Sequence, residues 1–144
     1  MKILVTGGQG FVGSAITSKL IELGHEVETL SRGFYGKEKC GINHHQIDLS
    51  KNIRDRSIFS GVECVFHVAA KAGIDGPFKE YYTANFLATQ NLLKVSKEQG
   101  VRFFIYTSSP SVVFSGKPIS NGKEDMPYIS SRMSPYSLTK AMAE

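Results

Sequence analysis

A chain of 144 residues with 41% hydrophobic side chains suits one compact domain with a real core. Its formal net charge of +4 comes from dispersed cations with no basic stripe, so no nucleic acid is expected as a partner. No apolar run approaches the roughly 20 residues that span a bilayer, and Met1 leads directly into a strand and a glycine turn, so a cytoplasmic protein with no membrane segment is expected.

In chain order, Lys2 to Thr6 is a continuous apolar run ending in glycines, the pattern of a buried strand. Phe11 to Leu23 carries Phe11, Ile16, Leu20 and Leu23 near helical spacing and stops at Gly24. Short strands follow at Glu26 to Leu30 and His45 to Leu49, then a short helix at Asn52 to Phe59. Glu63 to Ala69 predicts a fourth strand, Phe78 to Gln99 one long helix, and Arg102 to Thr107 a fifth strand rich in β-branched and aromatic residues. A loop with Pro110, Gly116, Pro118, Gly122 and Pro127 leads to a last helix opened by Ser134 as cap and Pro135 in its first turn. Cys40 and Cys64 sit far apart in unlike settings and are expected as reduced thiols, and no metal is expected.

Strands alternating with helices imply βαβ units. The expected fold class is α/β, a Rossmann-type doubly wound parallel sheet with helices on both faces, and residues 1–144 are expected to make up an incomplete domain of this kind.

Between the first strand and first helix stands Thr6-Gly7-Gly8-Gln9-Gly10-Phe11-Val12-Gly13, with Gly7, Gly10 and Gly13 three apart. Glycines there permit a tight turn, close approach of a pyrophosphate, and contact between helix and strand. The helix N-terminus then offers N–H groups and partial positive charge to phosphate. A lone glycine triplet is weak, but its position after a strand and before a helix strengthens it.

This segment resembles the extended short-chain dehydrogenase/reductase family, and further matches follow in order. The resemblance places an acid for the adenine amino group at Asp48-Leu49, a cofactor-lining stretch at His67-Val68-Ala69-Ala70 followed by Lys71, and a helix motif at Asn85-Phe86-Leu87-Ala88-Thr89-Gln90-Asn91-Leu92. It therefore implies Gly7, Gly10, Phe11, Val12, Gly13, Asp48, Leu49, Ala69, Ala70, Lys71 and Asn85 as cofactor residues. Read singly, Asp48 also fits a helix cap, His67 a core histidine and Asn91 a surface polar group. An acid at the tip of the second strand would favour NAD, but the sequence there is Leu30-Ser31-Arg32-Gly33. Arg32 can pair with a 2′-phosphate, which favours NADP, while a solvated Arg32 stacking on adenine would suit NAD equally.

Tyr136-Ser137-Leu138-Thr139-Lys140 places Tyr136 and Lys140 on one helical face. A nearby ammonium favours the phenolate and lowers a tyrosine pKa from about 10. Tyr136 can then exchange a proton with a carbonyl oxygen, and Lys140 can reach the nicotinamide ribose. The resemblance puts the third catalytic group in Thr107-Ser108-Ser109, at Ser109, with Ser108 as its competitor.

The stretches Tyr106 to Val113, Ala69 to Gly73 and Ser134 to Glu144 are similar to the 3β-hydroxysteroid dehydrogenase/isomerase-like branch, which includes bacterial reductases of long-chain β-keto acids. That resemblance implies hydride transfer between NADP or NAD and a secondary alcohol/ketone pair on a small-molecule substrate. A nucleotide-sugar epimerase or dehydratase shares the same Ser, Tyr and Lys, and a non-catalytic NAD(P) sensor would lack the Tyr/Lys pair. Extended members continue past the position of Glu144 with further strands and a substrate domain. Residues 1–144 alone are therefore expected to give only trace turnover, with an open apolar edge at the fifth strand and self-association into a homodimer.

Overall fold

The computed structural model describes residues 1–33, 41–114, 116–130 and 134–144; Cys40 lies outside them. Among the described residues, five strands form one sheet: β1 (Lys2–Thr6), β2 (Glu26–Ser31), β3 (His44–Gln46), β4 (Val62–His67) and β5 (Phe103–Tyr106). Every pairing is parallel and the order is β3-β2-β1-β4-β5. The order reverses at β1, so a crevice opens between the carboxyl ends of β1 and β4, where open α/β sheets place ligands.

Alternation along the strands divides the core into two layers. Ile3 and Val5 of β1 pack with Val27 and Cys64 under Leu20 of α1 (Phe11–Glu22). On the opposite face Leu4, Leu30 and Val65 pack with Ala88, Leu92 and Val95 of α3 (Ala88–Glu98). Helices therefore cover both faces, as the alternating pattern requires. Cys64 carries a buried free thiol, its pKa pushed up by burial. The β5 edge leaves Phe103 and Ile105 exposed. No described helix is long and apolar enough to cross a membrane.

Three elements differ from the sequence expectation. The third strand is His44–Gln46 rather than 45–49. The His44 ring bonds Thr29 and Ser31, and His45 Nε2 lies 2.6 Å from the buried Glu28 carboxylate, so side chains fix the start of pairing. Asp48 then takes the Ser50 N–H and hydroxyl on one oxygen, at 3.0 and 2.6 Å, and turns the chain off the sheet. The helix expected over 52–59 shrinks to a 3₁₀ turn, Ser57–Phe59, because Asp55 caps Ser57 while Ile53 drops into the core.

The long helix expected over 78–99 forms, but with a different middle. α2 (Phe78–Tyr81) passes into a π-helical stretch, Tyr82–Leu87, before α3. Such a wide turn inserts a residue without ending the helix. The last helix, α4 (Pro135–Ala143), starts as expected: the Ser134 hydroxyl accepts the Ser137 N–H at 3.2 Å, and Pro135 fills the first turn.

Candidate functional site

The glycine turn is built by close approach. Gly7 has φ +69°, and its N–H donates to Leu30 O at 2.7 Å. A Cβ at Gly7 would lie 3.0 Å from the Ala69 backbone, and one at Gly13 only 2.1 Å from Gly7 O. Side chains at either position would push α1 or β4 away from the turn. Gly8 was absent from the sequence-derived site, yet a Cβ there would sit 2.4 Å from Thr29 Cγ2. Its signal was in the doubled glycine, but only the position of β2 makes it a packing requirement. Gly10 caps α1 without a side-chain bond, and no acidic residue occupies the first turn. Phe11 and Val12 open that turn, both exposed.

Behind the turn lies a fully buried polar relay. Thr6 Oγ1 accepts the N–H groups of Val68 and Ala69 at 3.2 and 3.1 Å. Its own proton is then left for His67 Nδ1, 2.7 Å away. Thr89 Oγ1 donates to Asn85 O at 2.5 Å, so across 2.8 Å it accepts from His67 Nε2. Hydrogen-bond accounting thus makes His67 the neutral Nε2–H tautomer. Burial first, and the Lys140 charge second, push its pKa down to about 3. The sequence motif marked His67 as cofactor lining; the structure shows a core histidine whose edge also touches the cavity.

That cavity, about 860 Å³, runs along the carboxyl ends of the strands, within the usual range for small-molecule sites. The first wall is Gly7, Gly10, Phe11, Val12 and Gly13. Arg32 follows β2, and Asp48 and Leu49 follow β3. Ala69, Ala70 and Lys71 follow β4, and Tyr136 and Lys140 close the far side from α4. Asp48 is held below the usual carboxylate range, first by the Ser50 hydroxyl, with Lys51 and Arg32 adding smaller contributions.

Two expected site residues, Asn85 and Ser109, are not part of the wall. Asn85 is 1% exposed, and its carboxamide clamps the Lys71 backbone, accepting its N–H at 2.7 Å and donating to its C=O at 3.1 Å. Its amide also donates to Thr139 Oγ1 of α4 at 3.1 Å. The Ser109 hydroxyl accepts the Ser111 N–H and caps the 3₁₀ turn Pro110–Val113. Ser108 bonds the Glu144 carboxylate, and Thr107 represents this segment in the wall.

Thr83 and Ala84 of the π-helical stretch also line the cavity, as do Lys79 and Glu80, none of which the sequence motifs marked. Lys71 Nζ pairs with Glu80 at 3.0 Å. The loop between them folds around Tyr81, 1% exposed, whose hydroxyl donates to Asp75 O at 2.8 Å. Gly73 and Gly76, at φ +142° and +135°, pass so close that a Cβ would meet Tyr81 at 2.7 and 3.3 Å.

Lys140 is 2% exposed, and its ammonium donates to Thr107 O. Burial lowers its pKa to about 8, against a smaller opposing pull from Glu144. The arrangement unites a helix start without a side-chain cap, a cleft with more cations than carboxylates, and a lysine one turn from a tyrosine.

Comparison with known proteins adds the lineage. The chain is 37% identical to a 2-alkyl-3-oxoalkanoate reductase of Stenotrophomonas maltophilia over 100% of its own length and 44% of that protein. It is 33% identical to a 3-beta-hydroxysteroid dehydrogenase of Mycolicibacterium neoaurum, over 99% of this chain and 41% of the other. Among solved structures, a UDP-glucose 4-epimerase of Thermus thermophilus in complex with NAD superposes with a TM-score of 0.86 at 28% identity, covering 99% of this chain and 48% of that one. The chain thus spans less than half the length of these relatives. The model of the 3-beta hydroxysteroid dehydrogenase/isomerase family matches residues 4–144, and the chain belongs to that family.

Proposed function

We propose that this chain carries the cofactor cradle and the proton-transfer pair of an NAD(P)-dependent oxidoreductase acting on a secondary alcohol/ketone pair. The observation that carries the reading is that the glycine turn and the Tyr136/Lys140 pair line opposite sides of one cavity. The cradle fits a dinucleotide: Gly7 and Gly13 leave room that a Cβ would fill, and the uncapped start of α1 suits a pyrophosphate. Gly7, Gly10, Phe11, Val12 and Gly13 would hold the phosphates, Asp48 and Leu49 the adenine, and Ala69 to Lys71 the central portion. Arg32, exposed at the end of β2, favours NADP by offering a guanidinium to a 2′-phosphate.

When bound, the nicotinamide supplies the hydride, or takes it in the reverse direction. Tyr136 gives its phenolic proton to the carbonyl oxygen as the carbon is reduced, and removes it in oxidation. Lys140 brings a cation to the same helical face as Tyr136, one turn on. Ser109 is assigned the hydroxyl that bonds the reacting oxygen, by its place in the family motif. The names of the relatives make β-keto acids and 3β-hydroxysteroids the first substrate classes to try. In the full-length protein, Tyr136→Phe should abolish turnover while dinucleotide affinity stays within about threefold; retained turnover would require another proton donor.

The likeness to NAD-bound epimerases supports a second reading, in which the same groups form a transient ketone on a nucleotide sugar. Turnover of a UDP-sugar with no net change in nicotinamide redox state would favour it over the first.

A further inference from the structure

Lys140 raises a problem of charge. It is buried, and its ammonium contacts the Thr107 carbonyl and the face of the Tyr106 ring, with Nζ 4.0 Å from the ring centroid. A carbonyl and a π face are both negative surfaces, and the attraction of a cation to a ring strengthens once water is excluded. Among the described residues, the other titratable groups around it are Tyr136 one turn earlier, Glu144 one turn later and His67 beyond the Tyr106 ring. Glu144 is engaged by Ser108. His67 is neutral, its ring 5.8 Å from that of Tyr106.

Tyr106 is itself well placed. It ends β5 in register with His67 of β4, which sets the ring on the α4 side of the sheet, and its hydroxyl donates to Lys140 O at 3.4 Å. Ring face and hydroxyl thus address the side chain and the backbone of the same residue. An aliphatic residue would serve strand pairing equally well, so the strand alone does not require a ring here.

We propose that Tyr106 is a positioning residue: its aromatic face holds the Lys140 ammonium in its charged form against the Thr107 carbonyl at the cavity wall. Its meaning for catalysis rests on the hydride-transfer reading, but the contact can be tested without any reaction.

The test is a lysine-selective ¹³C NMR titration of Lys140 in the full-length protein, without cofactor or substrate. Tyr106 is replaced by phenylalanine and then by mono-, di- and trifluorinated phenylalanines, which keep ring size while draining its negative face. Tyr106→Phe should leave the Lys140 midpoint within about 0.3 pH unit of wild type, and each fluorine should lower it, reaching about one unit for the trifluorinated ring. Tyr106→Leu should fall at least as far; if that variant fails to fold, the near-isosteric fluorinated series still decides. A midpoint that stays constant from phenylalanine to its trifluorinated form would overturn the proposal. A graded midpoint in a protein that turns over no ketone would uphold the contact and refute the hydride-transfer reading, so the two failures are distinguishable.

Discussion

Thr6 gives its hydroxyl proton to Nδ1 of His67 across 2.7 Å, joining the end of β1 to the end of β4 beneath the glycine turn. The same Thr6 oxygen receives the N–H groups of Val68 and Ala69, so one side chain ties the start of this stretch of cavity wall to both strands. The folded His67 resists protonation down to about pH 3, whereas an unfolded histidine takes up a proton near 6.5. The unfolded state therefore binds more protons in this window, and stability falls as pH falls through it. Between pH 6.5 and 5 wild type should lose about 1.6 kcal/mol in all from this residue, the slope steepening toward about 1.4 kcal/mol per unit, and His67→Phe should lack that component. Urea midpoints at half-unit steps check it, and parallel pH slopes for the two proteins would refute it.

Gly13→Ala should weaken NADP(H) binding by about 100-fold, because the new methyl would meet Gly7 O at 2.1 Å and must lift α1 from the turn. Gly8→Ala should act mainly on stability, since its clash is with the Thr29 side chain. Fluorescence titration with NADPH beside thermal unfolding separates the two effects.

Arg32→Ala should lower the ratio of NADP to NAD affinity by about tenfold or more, the loss expected for a charge-assisted pair to phosphate. Calorimetric titration with each dinucleotide measures the ratio. If the ratio does not move, the assignment of Arg32 fails.

Asn85→Ala should cost about 2–4 kcal/mol of stability, since it strands the buried side of the Lys71 peptide and removes the amide bond to Thr139. Hydrogen exchange should rise at the Lys71 amide and in the first turns of α4 together. A rise confined to one of the two would show that Asn85 does not couple them.

Ser109→Ala should reduce kcat of the full-length enzyme by about 100-fold or more, and Ser108→Ala far less, if Ser109 is the third catalytic group. Removing the 3₁₀ cap also costs about 1 kcal/mol, so the kinetic comparison belongs well below the unfolding temperature. A larger loss of kcat for Ser108→Ala than for Ser109→Ala would return the choice to Ser108.

The strands, their parallel pairing and the glycine turn were legible because each is written in a short local pattern: Ile3 to Val5 can only be buried, and Gly7 to Gly13 only suits a turn between strand and helix. The bend at Asp48 was also local, but its side-chain bond to Ser50 competes with strand pairing in a way that residue preference alone does not resolve. Other features depended on partners far along the chain. Gly8 needs Thr29 beside it, Asn85 meets Lys71 and Thr139, and Lys140 finds Tyr106 34 residues earlier. The motif named Asn85 without revealing that it supports the wall from behind, because its role depends on helix phase.

That phase has a consequence for how the protein tolerates change in length. The π-helical stretch Tyr82–Leu87 accommodates one residue more than a regular helix would. Deleting one residue within it could restore the 3.6-residue period, but would rotate everything upstream by about 100° relative to α3. Tyr81 would swing out of its nest against Gly73 and Gly76, and Lys79 and Glu80 would leave the cavity wall. The surplus residue works as a spacer that lets one helix satisfy two incompatible faces, the apolar layer beneath α3 and the polar cleft beside α2. A shorter helix would be more regular and would lose the cleft.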